Sequence, residues 1–191
     1  MSELLLIFVG MALVNNLVLV QFLGLCPFFG LSKKLTSAVS MGVAVTFVMF
    51  IASAATWLIN NYILIPINAG YMNIIIYILV IASLVQITEL FIKRTNYTLY
   101  NAFGIYLALI TTNCAVLGIV LINESEGYSF LESIVAALGG GIGFTFVLAI
   151  MSGIRERLEL ADCPKAVKGL PIALITAALL GLAFYGFSGM I

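Results

Sequence analysis

The chain contains no histidine, which excludes proton relays and metal sites built on imidazole. Charge is nearly as scarce. Eight Lys and Arg balance eight Asp and Glu, so that 8% of the residues are charged and the net charge is zero, against roughly a quarter charged in a soluble domain. There is no basic tract of the kind that binds nucleic acid, and no polar stretch long enough to fold as a soluble catalytic domain. Cysteine occurs only three times, without a Cys-x-x-Cys pair. Chemistry in this chain must therefore run inside a bilayer or on a partner, using carboxylates, amides, hydroxyls and thiols.

What fills the sequence instead is apolar residues, 63% of it. The charges interrupt apolar runs at about Leu4 to Leu25, Ser37 to Ile59, Tyr71 to Ile92, Leu99 to Ile122, Leu131 to Ile154 and Leu170 to Ile191. Each exceeds the roughly 20 residues that cross a hydrocarbon core. Lipid forces the backbone to satisfy its own hydrogen bonds, and the runs lack barrel-strand alternation, so the expected fold is an all-α integral membrane protein with six transmembrane helices. Lys33 and Lys34 lie between spans one and two, Lys93 and Arg94 between three and four, and Arg155, Arg157, Lys165 and Lys168 between five and six. All eight cations thus fall on one side, which the positive-inside rule makes cytoplasmic, with both termini on the outer face. The first span has only Glu3 before it, unlike a cleavable signal peptide, and is expected to remain as helix one.

The second half of the chain echoes the first. Gly42 to Ser53 matches Gly141 to Ser152 at six of twelve positions, and Cys26-Pro-Phe-Phe-Gly30 pairs in the same order with Cys114-Ala-Val-Leu-Gly118. Three spans per half is an odd number, so the halves enter the membrane from opposite sides. The expectation is a single membrane domain, residues 1–191, made of two inverted three-helix repeats, about 1–95 and about 96–191. Such folds place their site near the midplane, at interrupted helices. Gly24 and Pro27 predict a break in helix one near Leu25, since proline lacks a donor and clashes with the preceding turn. Thr111, Thr112 and Asn113 stand ready to cap an equivalent break in helix four.

Cys26 lies seven residues from Lys33, and Cys114 lies ten from Glu124. These spacings correspond to about 10 Å and about 15 Å of helix from opposite faces. The two thiols can therefore meet near the middle of a core about 30 Å thick. Several uses remain open for them: small core hydrophobes, a disulfide, or ligands to an iron-sulfur cluster, which needs four. Cys163 falls in the basic loop and reads as a reduced loop thiol.

Other polar residues carry less. Asn15 and Asn16 sit mid-span and must find partners, either through helix-helix hydrogen bonds or along an ion path. Glu89 precedes Lys93 by four residues, the favourable order for a helical ion pair, and is also a candidate ion-binding carboxylate. Arg155-Glu-Arg157 reads as a stop and orientation signal, with docking of cytoplasmic subunits as the second use. The Gly139-Gly-Gly141-Ile-Gly143 run lacks the strand-turn-helix setting of a nucleotide loop and reads as close helix packing.

Val14 to Lys34, Gly104 to Gly118, Gly153 to Leu158 and Ile175 to Gly189 resemble the RnfA/NqrE family of ion-translocating oxidoreductase membrane subunits, over essentially the whole chain. Asn15 stands where the Nqr branch has a carboxylate, so the resemblance is nearer to the Rnf branch. It implies a multi-pass component of a prokaryotic inner-membrane complex that passes electrons between ferredoxin and NAD while moving Na+ or H+. It further implies an antiparallel pairing with the homologous RnfE component, beside the B, C, D and G components of the Rnf complex. The two together would hold a [2Fe-2S] cluster, with Cys26 and Cys114 as this chain's metal ligands and the missing ligands supplied by the partner; Cys163 is not carried over. Read from the residues alone, a stand-alone inverted-repeat secondary transporter is the alternative, and a structural anchor for redox subunits is the third reading.

Overall fold

The computed structural model describes residues 2–32, 35–67, 72–95, 109–110, 112–160 and 169–186. Among these the regular structure is entirely helical. Helix α1 (Ser2–Val9) runs into a π-helical turn, Gly10–Val14, and the chain becomes helical again only at α2 (Leu25–Leu31). Helix α3 (Leu35–Ile59) continues through a second π turn, Asn60–Leu64, to Ile67. Helices α4 (Asn73–Thr95), α5 (Cys114–Ser125), α6 (Phe130–Leu160) and α7 (Leu170–Tyr185) follow.

Three segments are long and apolar enough to cross a membrane, Leu35–Leu64, Asn73–Leu90 and Phe130–Leu158, and fall on expected spans two, three and five. The apolar helices on the other three runs are shorter, Glu3–Val14, Cys114–Ser125 and Leu170–Tyr185. The first two are cut short by interruptions in the chain path. The third ends where the described residues end.

The core is the crossing of α3 on α6. It is made by two glycines and two threonines in reciprocal contact. A Cβ added to Gly42 would stand 2.5 Å from Thr145 Oγ1, and one added to Gly141 would stand 2.6 Å from Thr46 Cγ2. Each threonine returns its hydroxyl to the carbonyl four residues back, Thr46 to Gly42 at 2.7 Å and Thr145 to Gly141 at 2.9 Å. The donors are thus satisfied inside lipid while the helix backbones approach closely. The glycine run on α6 packs the same way on its other flank. The Cβ positions at Gly139 and Gly143 lie 2.7 and 2.6 Å from the carbonyl oxygens of Phe8 and Ala12, so α1 and its π turn lie directly on α6.

Among the described residues the cations are segregated along the bundle axis, while acidic residues stand at both ends, Glu89 and Glu156 beside the cations. Glu124, Glu126 and Glu132 gather at the end where α5 turns into α6, and Glu3 joins them beside Tyr128. Burial pushes the Tyr128 hydroxyl up, and the charges of Glu126 and Glu132 push it further. Trp57 donates to the Tyr128 carbonyl at 3.1 Å and packs edge-on against Phe130, an aromatic girdle of the kind found at a membrane boundary. Arg155 and Arg157 stand at the far end of α6, and Arg94 at the far end of α4.

Arg155 does more than mark a boundary. Its guanidinium donates to the Phe29 carbonyl at 2.7 Å and to Ser32 Oγ at 2.8 Å, tying the end of α2 to α6. Replacing Arg155 with methionine is expected to cost about 2–3 kcal/mol, because two acceptors at that helix end lose a charged donor. Lysine, a point charge without the planar fork, should recover only part of the loss. Thermal unfolding of the purified protein measures both; full recovery by lysine would leave Arg155 as an orientation signal only.

Candidate functional site

The first interruption is built around an amide. Asn16, fully buried, donates from Nδ2 to the Ala12 carbonyl at 2.9 Å, while its Oδ1 accepts from the backbone N–H of Val18 at 3.0 Å and of Leu19 at 3.4 Å. A side chain that takes over these backbone groups competes with the helix and diverts it into turns. The break therefore opens at Asn15, about ten residues before the expected place at Leu25, and closes at Gly24. Helix-helix bonding, one of the two uses expected for these asparagines, is not what Asn16 does; its partners are the neighbouring backbone of its own segment, Ala12 before it and Val18 and Leu19 in the turn after it. Asn15 lies exposed.

Two residues turn the chain back toward α2. Phe22 adopts φ 56°, a left-handed conformation that costs a non-glycine residue about 1–3 kcal/mol. Gly24 follows at φ 79°. No side chain fits there, because a Cβ would stand 2.7 Å from the Phe144 ring. Pro27 then falls in the first turn of α2, where its missing N–H costs no helical hydrogen bond.

The second interruption is capped as expected. Asn113 holds an extended conformation, φ −74° and ψ 113°, and its Oδ1 accepts from the Ala115 N–H at 3.0 Å, so α5 starts at Cys114. Thr111 lies outside the described residues, and Thr112 is exposed.

The two interruptions meet. The Gly24 N–H donates to Cys114 Sγ at 3.0 Å, and Cys26 follows two residues later in the first turn of α2. Both cysteines are free thiols, and both are exposed on the surface of the chain. The disulfide left open by the sequence is therefore not formed, and neither thiol serves as a buried hydrophobe. Beside them, Asn113 is 5% exposed and its Nδ2 has no hydrogen-bond partner among the described residues. Buried polar atoms are nearly always paired, so an orphaned amide donor on the residue before the exposed Cys114 suits a ligand that carries acceptors, such as sulfide.

The donor set fits half of an iron-sulfur site. Among the described residues no third His, Cys, Asp or Glu gathers with the thiols. Cys163 lies outside the described residues. Glu89 is half-buried toward the basic end of α4, and the side chain of its expected partner Lys93 is also outside them. The structure adds what the sequence did not signal: the positive φ of Phe22, the Gly24 hydrogen bond to sulfur and the anchoring of α2 by Arg155.

Residues 4–191 match the family described as "Rnf-Nqr subunit, membrane protein". The chain is 55% identical over 190 residues to the A component of the ion-translocating oxidoreductase complex of Azoarcus sp. (strain BH72), covering 100% of this chain and 98% of the relative. It is 53% identical to the same component from Serratia proteamaculans (strain 568), and 52% identical to that of Syntrophotalea carbinolica, each over 191 residues, covering 100% of this chain and 99% of the relative. With the family pattern spanning nearly every residue, and with apolar helices long enough to cross a bilayer, this chain belongs to the Rnf-Nqr family of membrane subunits.

Proposed function

We propose that this chain is the A-type membrane component of an ion-translocating oxidoreductase complex that moves electrons between ferredoxin and NAD. In this reading Cys26 and Cys114 supply two thiolate ligands to a [2Fe-2S] cluster, and a homologous membrane protein, with which the chain lies antiparallel, supplies the other two. The observation that carries it is the meeting of two broken helices that leaves both thiols free and facing outward, joined by the Gly24 N–H bond to Cys114 Sγ.

When bound, such a cluster provides a one-electron carrier part-way across a hydrocarbon core about 30 Å thick. The chain's own residues set the conditions around it. The Gly24 N–H donates to the Cys114 sulfur, and a donor of this kind favours the more negative state; the Asn113 Nδ2, without a partner among the described residues, is a further donor free for an acceptor on the cluster. Cys114 begins a helix of 12 residues, whose N-terminal dipole also favours negative charge. Phe144 and Ala115, packed against Gly24, keep the turn from relaxing.

The basic end of the bundle is taken as cytoplasmic in a prokaryotic inner membrane, with both termini outside and the two halves of the chain as inverted repeats. Electron arrival in an apolar site favours a compensating cation, which is the proposed link to Na+ or H+ movement.

Co-expression tests the shared-ligand reading directly. Iron and acid-labile sulfide should copurify in equal amounts with this chain together with its homologous partner, and should be absent when the chain is purified alone. Stoichiometric cluster on the solitary chain would overturn the sharing.

A further inference from the structure

We infer that the polar cavity at the acidic end of the bundle is a binding site for a monovalent alkali cation. The cavity, about 300 Å³, lies between α3, α5, the turn after α5 and the start of α6. The inference deepens the ion-translocation reading and rests on its coarse part, membership of an ion-moving complex; it does not rest on the iron-sulfur assignment.

Unpaired oxygens carry the argument. Ser53 Oγ donates to the Ser133 carbonyl at 3.0 Å and accepts from Asn123 Nδ2 at 2.8 Å. With its amide nitrogen so engaged, Asn123 is left with an Oδ1 that has no partner among the described residues, and Ser133 Oγ has none either. These two residues are 8% and 1% exposed and both line the cavity. An amide oxygen can only accept, so what completes it must be a donor or a cation. The Glu124 carboxylate lines the same space, held by a hydrogen bond from Asn73 Nδ2, and the described lining contains no Lys or Arg. The cation ligands this lining offers are oxygens, with no thiol or imidazole among them, and oxygen donors suit a hard cation. One carboxylate among neutral oxygens balances a single positive charge. Asn123 and Glu124 also fall in the last turn of α5, the negative end of its dipole. Asn60 of the second π turn adds a further amide to the wall, and π turns concentrate at functional positions.

The other half of the chain points the same way. Thr46 meets Thr145 across the α3–α6 crossing, 99 residues on. The same offset carries Thr56, on the cavity wall, onto Arg155. Likewise the spacing from Cys26 to Cys114 carries Ser32, which binds Arg155, onto Val120, which lines the cavity. At the basic end the chain fills the related place with its own tethered cation; at the acidic end that place is a cavity with unpaired oxygens.

The test uses the assembled complex, with NaCl titrated against choline chloride at constant ionic strength and followed by 23Na relaxation and by thermal stabilisation. A saturable Na+ response is expected, weakened roughly tenfold or more by Asn123→Leu and by Ser133→Ala. Thr56→Lys, which places an ammonium in the cavity, should abolish the response while the complex stays folded without Na+. A Cys26→Ala/Cys114→Ala complex should keep the response, so that loss of the cluster and loss of the cation site are told apart. The inference falls if wild type shows no saturable response, as for a cavity holding water only. It falls equally if Thr56→Lys binds Na+ like wild type, or if the response follows the cysteines and not Asn123.

Discussion

Replacing either Cys26 or Cys114 with alanine in the assembled complex should remove the low-temperature paramagnetic signal and visible absorption of a [2Fe-2S] centre. It should also reduce ferredoxin-to-NAD electron transfer by more than about 100-fold, beyond the ~10–100-fold that loss of a hydrogen-bonding neighbour of a metal ligand costs. The reason is the poverty of the donor set. No other Cys, Asp, Glu or His among the described residues gathers with the two thiols to take over as ligand, and the chain has no histidine at all. Serine at either position keeps an oxygen ligand and should leave a residual, altered signal, whereas Cys163→Ala should leave spectrum and turnover as they are. An unchanged spectrum in both alanine variants would end the ligand assignment, and with it the reading of this chain as an electron carrier.

Helix α5 connects that site to the cation cavity. From Cys114 to Asn123, nine residue steps along the helix, it spans about 14 Å. At that separation, and with an effective dielectric of about 20, one added electron attracts a monovalent cation by about 1.2 kcal/mol, close to a sevenfold change in affinity. The interaction is modest, but it has the sign that coupling needs, and it acts through a single rigid element without any movement of the chain.

Much of this was legible in the sequence, and the parts that were not share a cause. Span positions and the segregation of cations follow from composition alone, because a bilayer makes hydropathy decisive. The matching Cys-x-x-x-Gly spacing pointed to the two segments that meet, where the Gly24 N–H reaches Cys114 Sγ. The course of the first interruption could not be read. Proline and glycine near Leu25 were visible signals, but Asn16 opens the break by bonding its own backbone, and an asparagine in an apolar run gives no indication of whether it will bond its own helix or another. Arg155 looked like one of several boundary cations; its role depends on where the end of α2 falls, 126 and 123 residues away at Phe29 and Ser32. The cavity was invisible for the same reason. Ser53, Asn123 and Ser133 are ordinary residues on three helices, brought together only by the packing of α3, α5 and α6.

That crossing makes the strongest stability prediction. Gly42→Ala would drive a Cβ to 2.5 Å from Thr145 Oγ1 and 2.8 Å from Thr145 Cβ, so the helices must separate. Overpacking of this kind costs about 1–3 kcal/mol, and here the obstructing atoms include a Cβ, which no rotamer change can move. By the reciprocity of the contact, Gly141→Ala against Thr46 should cost the same within about 1 kcal/mol, since its Cβ would stand 2.6 to 2.8 Å from the corresponding atoms. Thr145→Gly should rescue Gly42→Ala in part, leaving the roughly 1 kcal/mol by which glycine weakens a helix interior. Thr46→Gly should not rescue it, because Thr46 faces Gly141. A double-mutant cycle read by thermal or denaturant unfolding separates these cases. If Gly42→Ala and Gly141→Ala differed by several kcal/mol, the two helices would not be related by a local two-fold, and the inverted-repeat relation that aligns Thr56 with Arg155 would lose its physical basis.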